Sequence, residues 1–144
     1  ITFNYGLILG WTAIQNEISL VPLIFYLGAI FWTLGYDTIY GFQDIKDDEI
    51  IGLKSTSIKF KGSAKKFLIV CYLVTSLSLL IAGYLMNFNL FYFVFSLVSL
   101  MHLFLYQISN FNPSDPSNCL KIFKSNNIFG LIVIINILVG KIYI

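Results

Sequence analysis

Residues 36–56 read YDTIYGFQDIKDDEIIGLKST and hold five of the chain's seven acidic residues: Asp37, Asp44, Asp47, Asp48 and Glu49. Apolar runs of bilayer-spanning length lie on both sides, so the acids interrupt an otherwise lipid-compatible pattern. If the helix that begins near Val21 continues through the stretch, a turn of about 100° per residue places Asp37, Asp44 and Asp48 within about 40° of one another. A carboxylate near mid-membrane costs about 2.5–3.5 kcal/mol even on the lenient insertion scale. Negative charge at a helix C-terminus is also opposed by the backbone dipole. Such a stripe calls for a compensating cation or a water-filled cavity.

The surrounding composition excludes an ordinary soluble domain. The chain of 144 residues is 58% apolar and only 11% charged, where globular chains average about 25% charged, and its mean hydropathy is +0.83. The expected class is all-α: a polytopic transmembrane helix bundle of about five helices, forming a single membrane domain over residues 1–144. Residues 1–16 read as a span or its remainder, with Gly6, Gly10 and Ala13 where another helix can approach closely. The second helix runs from about Val21 through Tyr40 and on into the acidic stretch. Phe67–Met86 and Leu90–Ser109 are the third and fourth spans, and so short a link between them implies antiparallel neighbours. After the loop NFNPSDPSN, residues 110–118, an amphipathic segment Lys121–Asn127 leads into a last span, Ile128–Ile144. Opening on Ile1 directly in apolar sequence, the chain is expected to be part of a longer protein and not to begin with a signal peptide.

All nine basic residues are lysines. Lys46, Lys54, Lys59, Lys61, Lys65 and Lys66 follow the second helix, Lys121 and Lys124 follow the fourth, and Lys141 alone falls opposite. The positive-inside rule makes the eight-lysine side cytoplasmic, or the matrix side in a mitochondrion. Because the lysines sit in short loops and not along one face, they carry no nucleic-acid signal. The two cysteines, Cys71 and Cys119, have no metal or disulfide spacing. His102, the only histidine, has no second ligand nearby and fits a hydrogen-bonded packing role.

Spacing separates the roles of the acids. Asp44 and Asp48 stand about 6 Å apart along a helix, on adjacent turns of one face. Two carboxylates so placed suit Mg²⁺, which prefers one or two carboxylates plus phosphate oxygens to a full protein cage. Asp47 lies about 100° round from that face and reaches it through a water. Asp37 is about 10 Å from Asp44, too far to share an ion. The bland alternative, an acidic helix end making loose surface pairs worth about 0–1 kcal/mol, suits Asp47 and Glu49 as well as any functional role. Lys54, Ser55 and Thr56 after Gly52 are able to close over a diphosphate, although a solvated loop lysine is the commoner case. Tyr40, about 60° off the stripe, can face a cavity and offer its phenol to a phosphate oxygen or its ring to a cation.

The stretch resembles the second aspartate-rich motif of the UbiA superfamily of intramembrane prenyltransferases, YDxxYAxxDxxDDxxxGxKST. It matches at Tyr36, Asp37, Tyr40, Asp44, Asp47, Asp48, Gly52, Lys54, Ser55 and Thr56, and departs at Gly41, where alanine is usual. The tyrosine pair and the GxKST ending are most similar to the 4-hydroxybenzoate polyprenyltransferase branch of ubiquinone synthesis. Weaker similarity at Gly10-Trp11 and at Asn126-Asn127 with Gly130 extends the resemblance over the chain, as the C-terminal part of a nine-helix fold. The family's first motif, NDxxDxxxD, has no counterpart here.

The resemblance implies a Mg²⁺-dependent transfer of a polyprenyl group from its diphosphate to an aromatic acid such as 4-hydroxybenzoate, in a bacterial or mitochondrial inner membrane. Asp44, Asp48 and Asp47 would hold the metal, and Lys54, Ser55 and Thr56 the diphosphate. Asp37, Tyr40 and Lys54 would act in catalysis. The chain would supply one wall of the site and need the N-terminal half of the fold as its partner. The alternatives are a membrane cation or proton pathway lined by Asp37, Asp44 and Asp48, or an inactive half-protein left by a split gene.

Overall fold

In the computed structural model, residues 4–142 are described, and they are helical with no strand among them. The helices are α1 (Gly6–Gln15), α2 (Leu20–Gly41), α3 (Ile45–Ile50), α4 (Thr56–Lys59), α5 (Ala64–Leu85), α6 (Leu90–Leu100), α7 (Pro116–Lys124) and α8 (Asn126–Lys141). A 3-10 turn, Lys61–Ser63, leads into α5, and a π-helical segment, Met101–Ile108, extends α6 without a break. Four stretches are long and apolar enough to cross a membrane: Leu20–Gly41, Lys61–Leu85, Leu90–Ile108 and Pro116–Lys141. The expected spans are thus present, with α1 as a shorter apolar helix. The outermost residues of the first and last expected spans, 1–3 and 143–144, lie outside the described residues.

Small residues set how closely the helices pack. The broadest contact is between α2 and α5. A Cβ at Gly28 would lie 2.8 Å from Ser78 Cβ, and one at Gly35 would lie 2.5 Å from Tyr72 Cε1. Both glycines therefore let α5 side chains rest on the α2 backbone. The second layer pairs α6 with α8, where Asn136 Nδ2 donates to Ser96 Oγ at 2.8 Å. At one end, Asn89 caps α6 by accepting from Tyr92 N–H at 3.1 Å. Its Nδ2 also donates to Val139 O at 2.9 Å and Ile142 O at 2.8 Å, tying the α5–α6 turn to the end of α8. At the other end, Phe42 meets Phe111, with centroids 5.6 Å apart, and Lys61, Lys65 and Lys66 share a surface depression with Pro113. The lysine-rich loop and the proline loop therefore lie together, as the span count requires.

One expectation fails. The second helix does not run on through the acids: α2 ends at Gly41, and α3 starts at Ile45. The end tightens through Phe42 N–H to Ile39 O at 3.2 Å and Gln43 N–H to Tyr40 O at 2.9 Å. Two buried apolar residues explain the break, since Phe42 and Ile45 are 2% and 7% exposed and turn into the core. The returning loop also presses on the helix end: a Cβ at Gly41 would collide with Ser57 Oγ, and Thr38 and Thr56 share a hydroxyl hydrogen bond of 2.7 Å. Hence Asp37 does not share a helical stripe with Asp44 and Asp48.

Candidate active site

Asp44 occupies the N-cap position of α3, and Asp47 and Asp48 fall in its first turn. This inverts the electrostatic reading of the sequence, because acids at a helix N-terminus are favoured by the unpaired N–H groups there. The one-turn relation of Asp44 and Asp48 survives, with Asp48 N–H donating to Asp44 O at 3.0 Å. The Asp44 side chain makes no capping hydrogen bond, so its carboxylate is not consumed by the fold.

Asp44 and Asp47 line a depression of about 390 Å³ together with Gln43, Lys46 and Lys61. The Oε1 of Gln43 is buried there with no hydrogen-bond partner. Lys61 Nζ pairs with Glu49 at 2.7 and 2.9 Å. Both side chains are exposed, so the pair contributes little to stability. This is the surface pairing that suited Glu49.

Lys54 lies elsewhere. After Gly52, whose φ of 72° places it in the left-handed region that favours glycine, Lys54 lines a separate depression of about 400 Å³ with Ser55 and Thr56. Ser55 caps α4 by accepting from Ile58 N–H at 3.3 Å, and Thr56 is held by Thr38. Both hydroxyls therefore brace the loop that presents Lys54, a use not evident from the motif alone. Among the described residues, no group of three or more His, Cys, Asp or Glu side chains gathers as a metal cage.

Below the acids, α2 carries aromatic residues on one side. Trp32 and Tyr36 stand edge to face at 5.3 Å, Tyr36 meets Phe123 at 5.8 Å, and Tyr40 meets Phe123 at 4.7 Å. Tyr40 remains 44% exposed, which leaves its phenol accessible as expected. Asp37 is exposed on α2. Deeper still, Trp32, Gly28 and Phe25 of α2 join Leu7 of α1, Leu79 of α5 and Phe129 of α8 around an apolar cavity of about 390 Å³.

Sequence reasoning missed a buried polar cluster behind this wall. Tyr72 O–H donates to Gln107 Oε1. Gln107 Nε2 donates to Ser125 Oγ at 3.2 Å and to Asn126 Oδ1 at 3.1 Å, and Trp32 Nε1–H donates to the same Asn126 oxygen at 2.8 Å. His102 Nε2 lies 3.3 Å from Gln107 Nε2, the hydrogen-bonded role its isolation suggested. The only sequence signal was a set of polar residues inside apolar spans.

The sequence profile of the UbiA prenyltransferase family matches residues 1–132. The 4-hydroxybenzoate geranyltransferase 2 of Lithospermum erythrorhizon is 38% identical over 99% of this chain and 47% of its own length. The mitochondrial 4-hydroxybenzoate polyprenyltransferase of Dictyostelium discoideum is 35% identical over 98% of this chain and 30% of its own. The 4-hydroxybenzoate octaprenyltransferase of Francisella tularensis subsp. novicida is 34% identical over 94% and 47%. The chain thus spans less than half the length of these relatives. No solved structure matches it. With acid-bearing loop, aromatic wall and apolar cavity arranged along one helix, and with a family match over residues 1–132, the chain belongs to the UbiA prenyltransferase family.

Proposed function

We propose that this chain supplies one wall of a Mg²⁺-dependent site that transfers a polyprenyl group from its diphosphate to 4-hydroxybenzoate. The observation that carries this reading is the layout of α2. Its acid-bearing end adjoins a charged loop, while Trp32 and Gly28, further along the same helix, line an apolar cavity of about 390 Å³. Such a gradient suits an amphiphile with an anionic head and a hydrocarbon tail.

The chemistry of the donors supports Mg²⁺ as the ion, its coordination to be completed by ligands from outside this chain. Asp44, Asp47 and Asp48 are hard oxygen donors at the N-cap and in the first turn of α3, and Asp44 and Asp47 line one depression with the unpartnered Gln43 Oε1. The incomplete cage matches an ion that keeps waters and takes phosphate oxygens from its ligand. Mg²⁺ held there would offset charge on the diphosphate and make it a better leaving group. The allylic C–O bond breaks, and its electron pair leaves with the diphosphate. Lys54, on the loop between α3 and α4 and so in the neighbouring depression, reaches toward the leaving group from that side and adds positive charge there. The ring carbon ortho to the phenol of the acceptor then forms the new C–C bond and gives up its proton to the released diphosphate. Asp37 orients the acceptor by accepting from its phenol, and Tyr40 stands beside the reacting ends. The apolar walls exclude water from the cation.

The acidic loop faces the cytoplasm of a bacterium or the matrix of a mitochondrion, the side that its lysines favour. A second polypeptide segment, corresponding to the other half of the relatives' length, closes the site. A transport pathway is less well supported, because Asp37 is the sole acidic residue inside the spans among the described residues.

The test uses this chain completed by that other half and reconstituted in lipid. Asp44→Asn and Asp48→Asn should each abolish Mg²⁺-dependent transfer from geranyl diphosphate to 4-hydroxybenzoate at unchanged protein level. Activity within about twofold of wild type would remove the metal assignment. The chain alone should give no transfer, and turnover by it unaided would refute the half-site.

A further inference from the structure

Trp32 is fixed by more than packing. An indole carries one donor and no acceptor, and that donor is spent on Asn126 Oδ1 at 2.8 Å, across 94 positions of sequence. The orientation of the Asn126 amide follows from its neighbours. Trp32 Nε1–H and Gln107 Nε2–H both point at one Asn126 atom, so that atom must be the oxygen, while Nδ2 donates to Phe123 O at 3.0 Å. Gln107 is oriented in turn by Tyr72 O–H on its oxygen. Tyr72 and Gln107 are fully buried, and Asn126 is 7% exposed. Four polar side chains on α2, α5, the π-helical segment and α8 thus form one network, in which Tyr72 donates to Gln107, and Gln107 and the indole both donate to the Asn126 oxygen.

Burying this set in a membrane bundle is unfavourable unless every member is satisfied. Packing alone would be met at lower cost by leucines. The π-helical segment points the same way. Hydrogen bonding from i to i+5 brings His102 and Gln107, five positions apart, to one place, and such segments often accompany functional sites. What the relay orients is a cavity wall: the Trp32 ring lies 5.1 Å from Phe129 and lines the apolar cavity. Trp32 is also one turn below Tyr36 and Asp37 on α2.

We propose that Tyr72, Gln107 and Asn126 are positioning residues that fix the Trp32 indole as the aromatic wall between the acid-bearing end of α2 and the apolar cavity, where the reacting end of an allylic diphosphate lies against it. This rests on the prenyl-transfer reading above. An indole face held still can receive the developing allylic cation without reorganising. An indole free to rotate would present its edge, or fill the cavity mouth.

The test compares variants in the completed enzyme, with geranyl diphosphate and 4-hydroxybenzoate as substrates. Asn126→Leu keeps the volume and removes the acceptor; kcat should fall about 10-fold or more, with the KM for 4-hydroxybenzoate unchanged, as expected for a misplaced wall. Asn126→Asp restores an oxygen to both donors and should recover most of the loss. Tyr72→Phe deletes one oxygen at the far end and should lower kcat in the same direction by a smaller factor. Should Asn126→Leu fail to fold, Tyr72→Phe decides the matter. In the completed enzyme with Trp11→Phe and every tryptophan of the other half replaced by Phe, Trp32 is the sole tryptophan; Asn126→Leu should lower its fluorescence anisotropy and Asn126→Asp should restore it. Wild-type kcat in both Asn126→Leu and Tyr72→Phe, or an unchanged Trp32 anisotropy, would overturn the relay while leaving prenyl transfer intact. Absence of transfer by the wild type would overturn the functional reading itself, and the relay's role with it.

Discussion

Gly35→Ala isolates the contact on which the α2–α5 interface turns. The added Cβ would lie 2.5, 3.2 and 3.3 Å from Tyr72 Cε1, Cδ1 and Cζ. Carbon atoms pack best at about 3.5–4.0 Å, so the closest approach is short by about 1 Å. Tyr72 has no room to yield, being fully buried with its hydroxyl on Gln107. Overpacking of this kind costs about 1–3 kcal/mol. Replacing glycine by alanine within a helix returns about 0.5–1 kcal/mol. Between the middles of these two ranges the net expectation is a loss of about 1 kcal/mol, read as a drop of roughly 3–5 °C in the unfolding midpoint in detergent. Gly130→Ala is the control, since its Cβ would meet Trp32 Cη2 at an ordinary 3.7 Å; its midpoint should hold or rise. The cost of Gly35→Ala measured in a Tyr72→Leu background should be smaller than in wild type, because the two positions touch. A Gly35→Ala variant that melts at or above wild type would refute the packing argument.

Other outcomes follow from the same geometry. Lys54→Ala should raise the KM for the prenyl diphosphate more than that for the aromatic acid, and the reverse order would move Lys54 off the diphosphate. Asp115, outside the spans, accepts from Ser117 Oγ at 2.7 Å and from the N–H groups of Ser117 and Asn118 at 2.9 and 3.1 Å, and the Ser117 hydroxyl is the main cause of its lowered pKa. A carboxyl lowered on folding stabilises above its ordinary value of 3.8 and loses that contribution as pH falls through the lower folded value. Acid titration followed by unfolding should show this, and Asp115→Asn should remove it; an unchanged acid limb would exclude the cap. Cys71 and Cys119 are fully buried, so a maleimide should label neither in nanodiscs and both in SDS. Prompt labelling of Cys119 in the native state would mean that α7 is not docked.

Class, spans and motif were all legible in the order of the residues. Apolar runs of membrane length admit only helices here, because an unpaired backbone group in lipid is too costly. The number of spans between them placed the two lysine-bearing loops at one end, and the contact of Phe42 with Phe111 bears this out. The spacing of Asp44 and Asp48 was legible because one helical turn is a local property, and it persisted although the helix around it was a different one.

Tertiary structure alone decided where that helix begins. Nothing local distinguishes Phe42 and Ile45 from lipid-facing residues; the bundle supplies the core that draws them inward and breaks α2 between Gly41 and Ile45. The break separates Asp37 from the carboxylates of α3 and moves those carboxylates from the unfavourable end of one helix to the favourable end of another. The partners of Ser55 and Thr56, and the line from Tyr72 to Trp32, were likewise unreadable. A hydroxyl or amide in an apolar span announces that it needs a partner, but a partner as many as 94 positions away is fixed only when the helices pack.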